Sequence, residues 1–259
     1  MANKGKYYES QFEEATIELL REAHWQYTFG DDIHRKYTDP LIEEDLRSFL
    51  ADQYKDKNLT SSEIDGIVAN LRNIGGQNDY YALRNTFLLY RDGYDFAYSD
   101  GRDNPFRLEY IDFKYPNHNV FRCVNQFVME QGRENRRPDI LLFINGIPVC
   151  IIELKNPTKQ NATIRDAHTQ ICTRYMRDIP ALLKYCALAV ISDGAKNALG
   201  TTYTPFEFFY EWKKIENEDK AGKGLDTLRT LIRGALSLER ILEILRDYVY
   251  FPDPTKEDD

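Results

Sequence analysis

Two apolar runs that meet at a turn dipeptide constrain the fold of this chain more than any other feature. The first run begins at Asp139, and the second ends with Glu153 and Lys155. Asn145-Gly146 between them is a strong hairpin signal, because both residue types tolerate a positive φ. The sequence therefore predicts a buried β-hairpin with two acids and a lysine at its open end.

The register of this hairpin decides whether the acids share a face. Residues opposite each other on paired strands point to the same side of a sheet. A strict two-residue loop pairs Ile144 with Ile147 and turns Asp139 away from Glu153. A three-residue loop with a bulge pairs Ile144 with Pro148 and places Asp139 opposite Glu153. A shared site therefore predicts a bulge, a longer loop or a break before the first strand.

The residue types at this open end suit metal-dependent hydrolysis of a phosphodiester. Mg²⁺ typically takes one or two carboxylates together with waters and substrate phosphate. The metal polarises the phosphoryl group, and a nearby lysine can orient the attacking water and stabilise charge on phosphorus. The Asp…Glu-x-Lys spacing alone is weak evidence for such a site, because it occurs often by chance. Its position on one hairpin beside Ile-, Val- and Leu-rich runs is stronger evidence. A surface salt bridge between Glu153 and Lys155 would leave Asp139 unexplained.

At these residues the chain resembles a known nuclease family. Pro138-Asp139 followed by Glu153-Leu154-Lys155 is similar to the PD-(D/E)xK signature. The longer string, residues 137–157, resembles the N-terminal endonuclease domain of type I restriction enzyme R (motor/restriction) subunits. The resemblance covers roughly residues 9–251 and includes the segments 10–25, 124–127, 170–175, 192–194 and 208–212.

The resemblance implies roles for the hairpin residues. Asp139 and Glu153 would hold Mg²⁺, for which Mn²⁺ can substitute, with the backbone carbonyl of Leu154 as a further ligand. Lys155 would be the catalytic lysine. Apart from these metal ligands, the sequence gives no cofactor-binding residues in this chain.

The resemblance also implies an accessory acid on the first helix. Glu13 and Glu9 are the candidates, one helical turn apart. The alternative for Glu13 is structural, because Ser10 three residues earlier would form a capping box with it at a helix start.

Four residues are candidates for DNA contact. Family members carry a Gln-x-x-x-Tyr element on the helix after the hairpin, and the nearest match here is Gln170 and Tyr175, with one extra residue between them. Positions i and i+5 do not share a face of an α-helix. We therefore expect only one of the two to keep the DNA role, unless both are ordinary surface residues. Arg136 and Arg137 are candidates for phosphate contact, and the alternative is a solvated pair.

The order of elements predicts an α/β fold: a mixed central β-sheet flanked by helices. The resemblance implies that this is a PD-(D/E)xK restriction-endonuclease-like core with added helices. We expect one domain over residues 1–259, with its core at about 8–25 and 105–195, a helical insertion at about 30–95 and a C-terminal helical part at about 205–251. The expected helices are 11–24, 41–53, 61–73, 79–91 and 162–178, and the expected strands are 107–113, 119–130 and 185–191. Residues 206–212 are aromatic-rich and are expected in the core, with a base-stacking platform as the alternative. Residues 218–224 are expected in a loop, and two helices after 225 are expected to break at Gly234.

Composition limits the partners. The net charge of −8 argues against strong autonomous DNA binding, although basic residues concentrate near the hairpin. Such a pattern fits double-stranded DNA delivered by other domains. No apolar run is long enough to cross a membrane, no signal peptide is visible, and the four cysteines lack metal-site spacing. We expect a cytoplasmic protein, bacterial or archaeal, without membrane contact.

The hairpin residues and the resemblance together predict a Mg²⁺-dependent endonuclease that cuts double-stranded DNA, and the resemblance implies that it does so after ATP-driven translocation. No phosphate-binding P-loop occurs in the sequence, so we expect no ATP binding by it. The resemblance implies that ATP acts through helicase-like motor domains of the same subunit. The resemblance implies methyltransferase and specificity subunits as partners. Two alternatives stay open: a catalytically idle module that docks the motor onto the methyltransferase, and a related repair-type nuclease.

Overall fold

A six-stranded mixed sheet forms the centre of the computed structural model, which describes residues 2–101, 105–155, 163–215 and 224–253, with side chains from residue 10 onward. The strands are β1 (Gln26–Phe29), β2 (Tyr94–Phe96), β3 (Phe106–Leu108), β4 (Phe121–Asn125), β5 (Met129–Gln131), β6 (Glu134–Arg136), β7 (Ile140–Ile144), β8 (Ile147–Leu154), β9 (Leu188–Ser192) and β10 (Asn197–Thr201). The helices are α1 (Ala2–Glu22), α2 (Glu43–Gln53), α3 (Ser61–Asn73), α4 (Asp79–Asp92), α5 (Ile164–Thr169), α6 (Met176–Asp178), α7 (Pro180–Leu183), α8 (Leu225–Ala235) and α9 (Leu238–Glu243), and π-helical segments span Gln170–Tyr175 and Ile244–Tyr248.

The central sheet has the strand order β1-β4-β7-β8-β9-β10. β1 runs parallel to β4 and β8 runs parallel to β9, whereas the other neighbours are antiparallel. Two small sheets, β2–β3 and β5–β6, lie apart from it. The predicted α/β class with a mixed central sheet flanked by helices is confirmed.

Apolar cores cover both faces of this sheet, which is why its central strands are apolar throughout. On β7, Ile140, Leu142 and Ile144 belong to the larger core, which also takes side chains from α1–α4, α8 and α9. Leu141 and Phe143 belong to a second core with side chains from α5, α7 and the π-helical segment after α5. The side chains of β7 therefore alternate between two buried environments.

The predicted Asn-Gly turn joins β7 to β8. Asn145 has φ 49° and Gly146 φ 74°, and Ile144 pairs with Ile147 across a two-residue loop. Of the two alternatives, the hairpin therefore has the two-residue loop and not the three-residue loop. The turn packs tightly against Ile42, whose backbone N–H donates to the Gly146 carbonyl at 2.9 Å.

Helix predictions from periodicity hold best where the segment is long and amphipathic. α2, α3 and α4 lie within two residues of their predicted bounds, and Gly75-Gly76 lies between α3 and α4. α1 begins at Ala2, well before the predicted start. No helix among the described residues is long and apolar enough to span a bilayer.

Several boundaries differ from the prediction. Extended structure predicted for 107–113 is limited to β3, and the strand predicted from Tyr185 begins only at Leu188. The C-terminal helices break at Ser237, which has extended φ and ψ, and not at Gly234. Gly234 lies inside α8, where a Cβ atom would stand 2.2 Å from the Trp212 indole nitrogen, so the glycine serves close packing.

The aromatic segment 206–212 divides between core and surface. Phe206 and Phe209 pack against the second core, but Phe208 is 71% exposed and Tyr210 63% exposed. The core prediction is therefore wrong for the last two. The loop predicted at 218–224 lies outside the described residues apart from Gly224.

Candidate active site

A β-bulge on β8 aligns the two acids of the hairpin. Phe143 pairs with Pro148 but Leu142 pairs with Cys150, which leaves Val149 as the extra residue. The ladder ends with Ile140 opposite Ile152, and the same register extended by one residue brings Asp139 beside Glu153. The predicted bulge is confirmed, although it lies within the strand and not at the turn.

The bulge also reverses the side-chain alternation of β8. Val149 and Cys150 are consecutive, yet both belong to the larger core. Beyond them Ile151 faces the second core, and Glu153, two residues on, points to the same side. Without the extra residue, Glu153 would face the larger core and be separated from the π-helical segment.

Three of the predicted site residues meet at this end of the hairpin. The Asp139 carboxylate accepts a hydrogen bond from the backbone N–H of Leu154 at 2.7 Å. The Lys155 ammonium donates to Glu153 Oε1 at 2.8 Å. The Lys155 backbone N–H donates to the Ser192 carbonyl at 2.7 Å, which fixes the residue against the end of β9.

Glu153 occupies an unfavourable electrostatic position. Its side chain is only 2% exposed. Burial is the main cause that raises its pKa, to about 8, and the nearby Asp139 carboxylate adds to the effect. Lys155 and Tyr175 oppose this rise by donating hydrogen bonds. A buried carboxylate of this kind, beside a second one, is a place where a cation would be stabilising.

The π-helical segment Gln170–Tyr175 brings both ends of the predicted DNA-contacting element to the site. Gln170 Oε1 accepts from Lys155 Nζ at 2.7 Å, and Gln170 Nε2 donates to the Tyr175 hydroxyl at 2.7 Å. The Tyr175 hydroxyl in turn donates to Glu153 Oε2 at 3.3 Å. Four side chains thus form a closed ring of hydrogen bonds.

The expectation that only one of Gln170 and Tyr175 keeps the DNA role rested on α-helical geometry, and that premise is wrong for this segment, whereas the DNA role itself stays a prediction. A π-helix makes i to i+5 hydrogen bonds, so residues five apart come onto one face. The single extra residue between them is accommodated by the wider turn. Burial of Tyr175 beside Glu153 raises the pKa of its hydroxyl well above the usual value, so the hydroxyl stays protonated.

The two arginines before β7 have different surroundings. Arg136 Nε donates to Asp178 Oδ2 at 2.7 Å, and Arg136 also pairs with Glu134. Asp178 in addition accepts from Arg177, and these two arginines hold the pKa of Asp178 below its usual value. Arg137 is exposed. The phosphate-contact prediction stays open for both.

The accessory acids lie on α1. Because α1 begins at Ala2, Ser10 is inside the helix, and the capping-box alternative for Glu13 is wrong. Glu13 accepts from Asn125 Nδ2 at 2.7 Å and from Gln126 Nε2 at 3.0 Å, at the end of β4. The Glu9 side chain lies outside the described residues. Among described side chains no three acids, histidines or cysteines are close enough to hold one ion.

The residues present fit a hard divalent cation. Asp139 and Glu153 supply carboxylate oxygens, the ligands that Mg²⁺ prefers, and the pair is electrostatically strained without a cation. The Leu154 carbonyl stays a predicted ligand. Lys155 has three N–H donors, of which two bind Glu153 and Gln170, so the third can reach a water or a phosphate oxygen.

Two features of the site were missed from the sequence. Asp178 anchors Arg136 from 42 positions away, and Asn125 with Gln126 anchors Glu13 from more than 100 positions away. Neither contact can be recognised from residues that lie close together in the sequence. The spacing between Gln170 and Tyr175 was the one visible hint of an unusual helix.

Comparison with known proteins finds similar sequences in endonuclease subunits of type I restriction enzymes. The Haemophilus influenzae type I restriction enzyme HindI endonuclease subunit is 30% identical over 258 residues, which cover 94% of this chain and 24% of that subunit. A Methanocaldococcus jannaschii protein, provisionally named a type I restriction enzyme MjaIXP endonuclease subunit, is 28% identical over 261 residues, 92% of this chain and 25% of its own length. The Escherichia coli type I restriction enzyme EcoprrI endonuclease subunit is 31% identical over 162 residues, 59% of this chain and 45% of its own length.

The chain spans about a quarter of the length of the first two relatives. The sequence model of the family described as type I restriction enzyme R protein N terminus matches residues 6–208. That match includes the hairpin, the π-helical segment and most of α1. This chain belongs to the family of type I restriction enzyme R protein N termini.

Proposed function

We propose that this chain is the Mg²⁺-dependent, DNA-cleaving part of a type I restriction R subunit. The observation that carries the proposal is the bulge in β8, because it turns Glu153 to the same face as Asp139 and Lys155. A strand buried on both faces would otherwise keep this position apolar. The names of the relatives, endonuclease subunits of type I restriction enzymes, support the same activity.

The proposed chemistry divides among the residues of the site. Mg²⁺ bound by Asp139 and Glu153 would polarise the phosphodiester and make water more nucleophilic. Lys155 would use an N–H that does not bind Gln170 to orient water and to stabilise negative charge that develops on the phosphoryl oxygens. Gln170 would hold the Lys155 ammonium in place, since it accepts from the same nitrogen.

The proposed substrate is double-stranded DNA. Gln170 and Tyr175 would contact DNA from the π-helical segment, and the exposed Arg137 is better placed for phosphate than Arg136, which already has two carboxylate partners. The net charge of −8 leaves little sequence-independent attraction for DNA. DNA would therefore be brought to the site by ATP-driven, helicase-like motor domains, in a complex with methyltransferase and specificity subunits.

Plasmid cleavage by the complete restriction complex with Mg²⁺ and ATP tests this function. Wild type is compared with Lys155→Ala and with Lys114→Ala, an exposed lysine remote from the hairpin in sequence. We expect Lys155→Ala to lose cleavage and keep ATP turnover, and Lys114→Ala to keep both. Cleavage retained by Lys155→Ala would contradict the catalytic assignment and favour the docking module. Cleavage that needs neither ATP nor the partner subunits would favour a repair-type nuclease.

A further inference from the structure

A second polar site lies away from the hairpin's open end. A cavity of about 830 Å³ is lined by the loop after β1, the first half of α2, the end of α3 and the segment that begins with α7. Its volume is in the range of small-molecule sites. The backbone of Gly146, at the turn end of the hairpin, contacts Ile42 on the same loop, so the cavity is nearer the turn than the catalytic end.

The lining of this cavity is positively charged in an acidic chain. Five lysine and arginine side chains line it against three carboxylates. Arg72 binds Asp39 at 2.8 Å and Glu43 at 2.6 Å, and Arg47 binds Glu43 at 2.7 Å and Asp65, which is outside the lining, at 2.6 Å. The five cations against the three lining carboxylates and Asp65 leave a local excess of about one positive charge, whereas the whole chain carries −8.

Arg35 is a cation of this lining without a carboxylate partner. Its guanidinium lies 3.3 Å from the Phe127 ring centroid and donates to the carbonyls of Lys36, Asp39 and Val128. Its Nε is buried and has no hydrogen-bond partner among the described residues. Burial lowers the pKa of Arg35 to about 10, and the nearby carboxylates of Asp39 and Asp31 only partly oppose this effect.

Lys184 is the second such cation. Its ammonium donates to the carbonyl of Arg72 at 2.8 Å, in the last turn of α3, and to that of Ile74 at 2.9 Å, just after α3, which leaves one N–H. Burial, with a smaller effect from nearby Arg72, lowers the pKa of Lys184 to about 8. Two desolvated cations beside one cavity both gain from an anion in it.

We propose that this cavity binds a phosphate-bearing ligand, with Arg35 and Lys184 as its charged contacts. A phosphate group carries up to two negative charges and several acceptor oxygens, which match the charge excess and the remaining donors. Two sources share this chemistry, a nucleotide and a phosphate of the DNA backbone. The lining of the cavity includes none of Asp139, Glu153 and Lys155, so we expect the ligand to bind there without a divalent metal.

Calorimetric titration with pyrophosphate tests the proposal, in EDTA so that no divalent metal bridges phosphate to the acids of the hairpin. Lys184→Gln keeps a donor for the helix carbonyls but removes the charge, and Arg35→Gln removes the second charge. Lys114→Gln is the matched control, and Lys155→Gln tests whether pyrophosphate binds at the hairpin instead of in the cavity. We expect wild type, Lys114→Gln and Lys155→Gln to bind alike and each cavity variant to bind at least about tenfold more weakly. Circular dichroism of every variant establishes that it is folded.

Competition identifies the source of the phosphate. A nucleoside monophosphate that displaces pyrophosphate where a short DNA duplex does not would assign a nucleotide, and the reverse would assign DNA. Absence of pyrophosphate binding to wild type would overturn the proposal. So would folded Lys184→Gln and Arg35→Gln proteins that both bind pyrophosphate as wild type does.

Discussion

Replacement of Glu153 by glutamine should stabilise the metal-free protein at neutral pH. The pKa of this buried carboxyl is about 8, whereas its usual value is 4.5. Below pH 4.5 it is protonated in both folded and unfolded states. Between pH 4.5 and 8 the unfolded chain releases the proton while the folded protein retains it, so the free energy of unfolding falls as pH rises.

The size of this effect follows from the same two values. At pH 7 the carboxyl costs about 3 kcal/mol of stability relative to pH 4 or below. The side chain is almost fully buried, so solvent screening is small. A glutamine avoids this cost, since it does not ionise and its carbonyl oxygen can still accept from Lys155.

Urea unfolding of wild type and Glu153→Gln in EDTA, at pH 5, 6, 7 and 8, measures the difference. We expect the free energy of unfolding of Glu153→Gln, relative to that of wild type, to increase by about 2 kcal/mol between pH 5 and pH 7. The exposed Glu14→Gln is the control and should show no such growth. If the difference in free energy of unfolding between Glu153→Gln and wild type is the same at all four pH values, the raised pKa and the electrostatic strain attributed to the site are refuted.

Three other perturbations test single features. Tyr175→Phe removes the hydroxyl that joins Glu153 to Gln170, so we expect about tenfold slower cleavage in the complete complex and about 1 kcal/mol less stability in urea; unchanged cleavage would contradict this. Deletion of the exposed Thr173 restores a four-residue spacing on a regular α-helix, so circular dichroism and cleavage should remain close to wild type; an unfolded product would show that the π-helix is required. Gly146→Ala places a Cβ atom 2.1 Å from the Ile42 carbonyl oxygen and should lower the free energy of unfolding in urea by about 2–3 kcal/mol. Gly132→Ala is the control, because φ is also positive there but the space is open, and it should lower the free energy of unfolding less. Equal losses in the two variants would mean that the contact with Ile42 is unimportant.

The turn and the amphipathic helices could be predicted because their causes are local. Asn145-Gly146 accepts positive φ at both positions, and the periodicity of α3 gives its bounds directly. The need for a bulge could also be deduced, since Asp139 and Glu153 had to share a face. Its position could not, because it depends on which core receives Val149 and Cys150, and that is decided by contacts distant in sequence.

The π-helical segment marks the limit of reasoning from helical spacing. Gln170 and Tyr175 are five apart, and the α-helix is the default conformation from propensity alone. Their hydrogen bonds to Lys155 and Glu153 are made only in the folded protein and favour the wider turn. The Arg136–Asp178 pair is hidden for the same reason, since it joins β6 to the end of α6.

Mn²⁺ located by anomalous scattering in crystals of this protein tests the central claim most directly. If the bulge builds a metal site, one ion should lie about 2.1 Å from oxygens of both Asp139 and Glu153, with the Lys155 ammonium no longer bonded to Glu153. Mn²⁺ found only elsewhere, with the bond between Lys155 and Glu153 intact, would contradict the account.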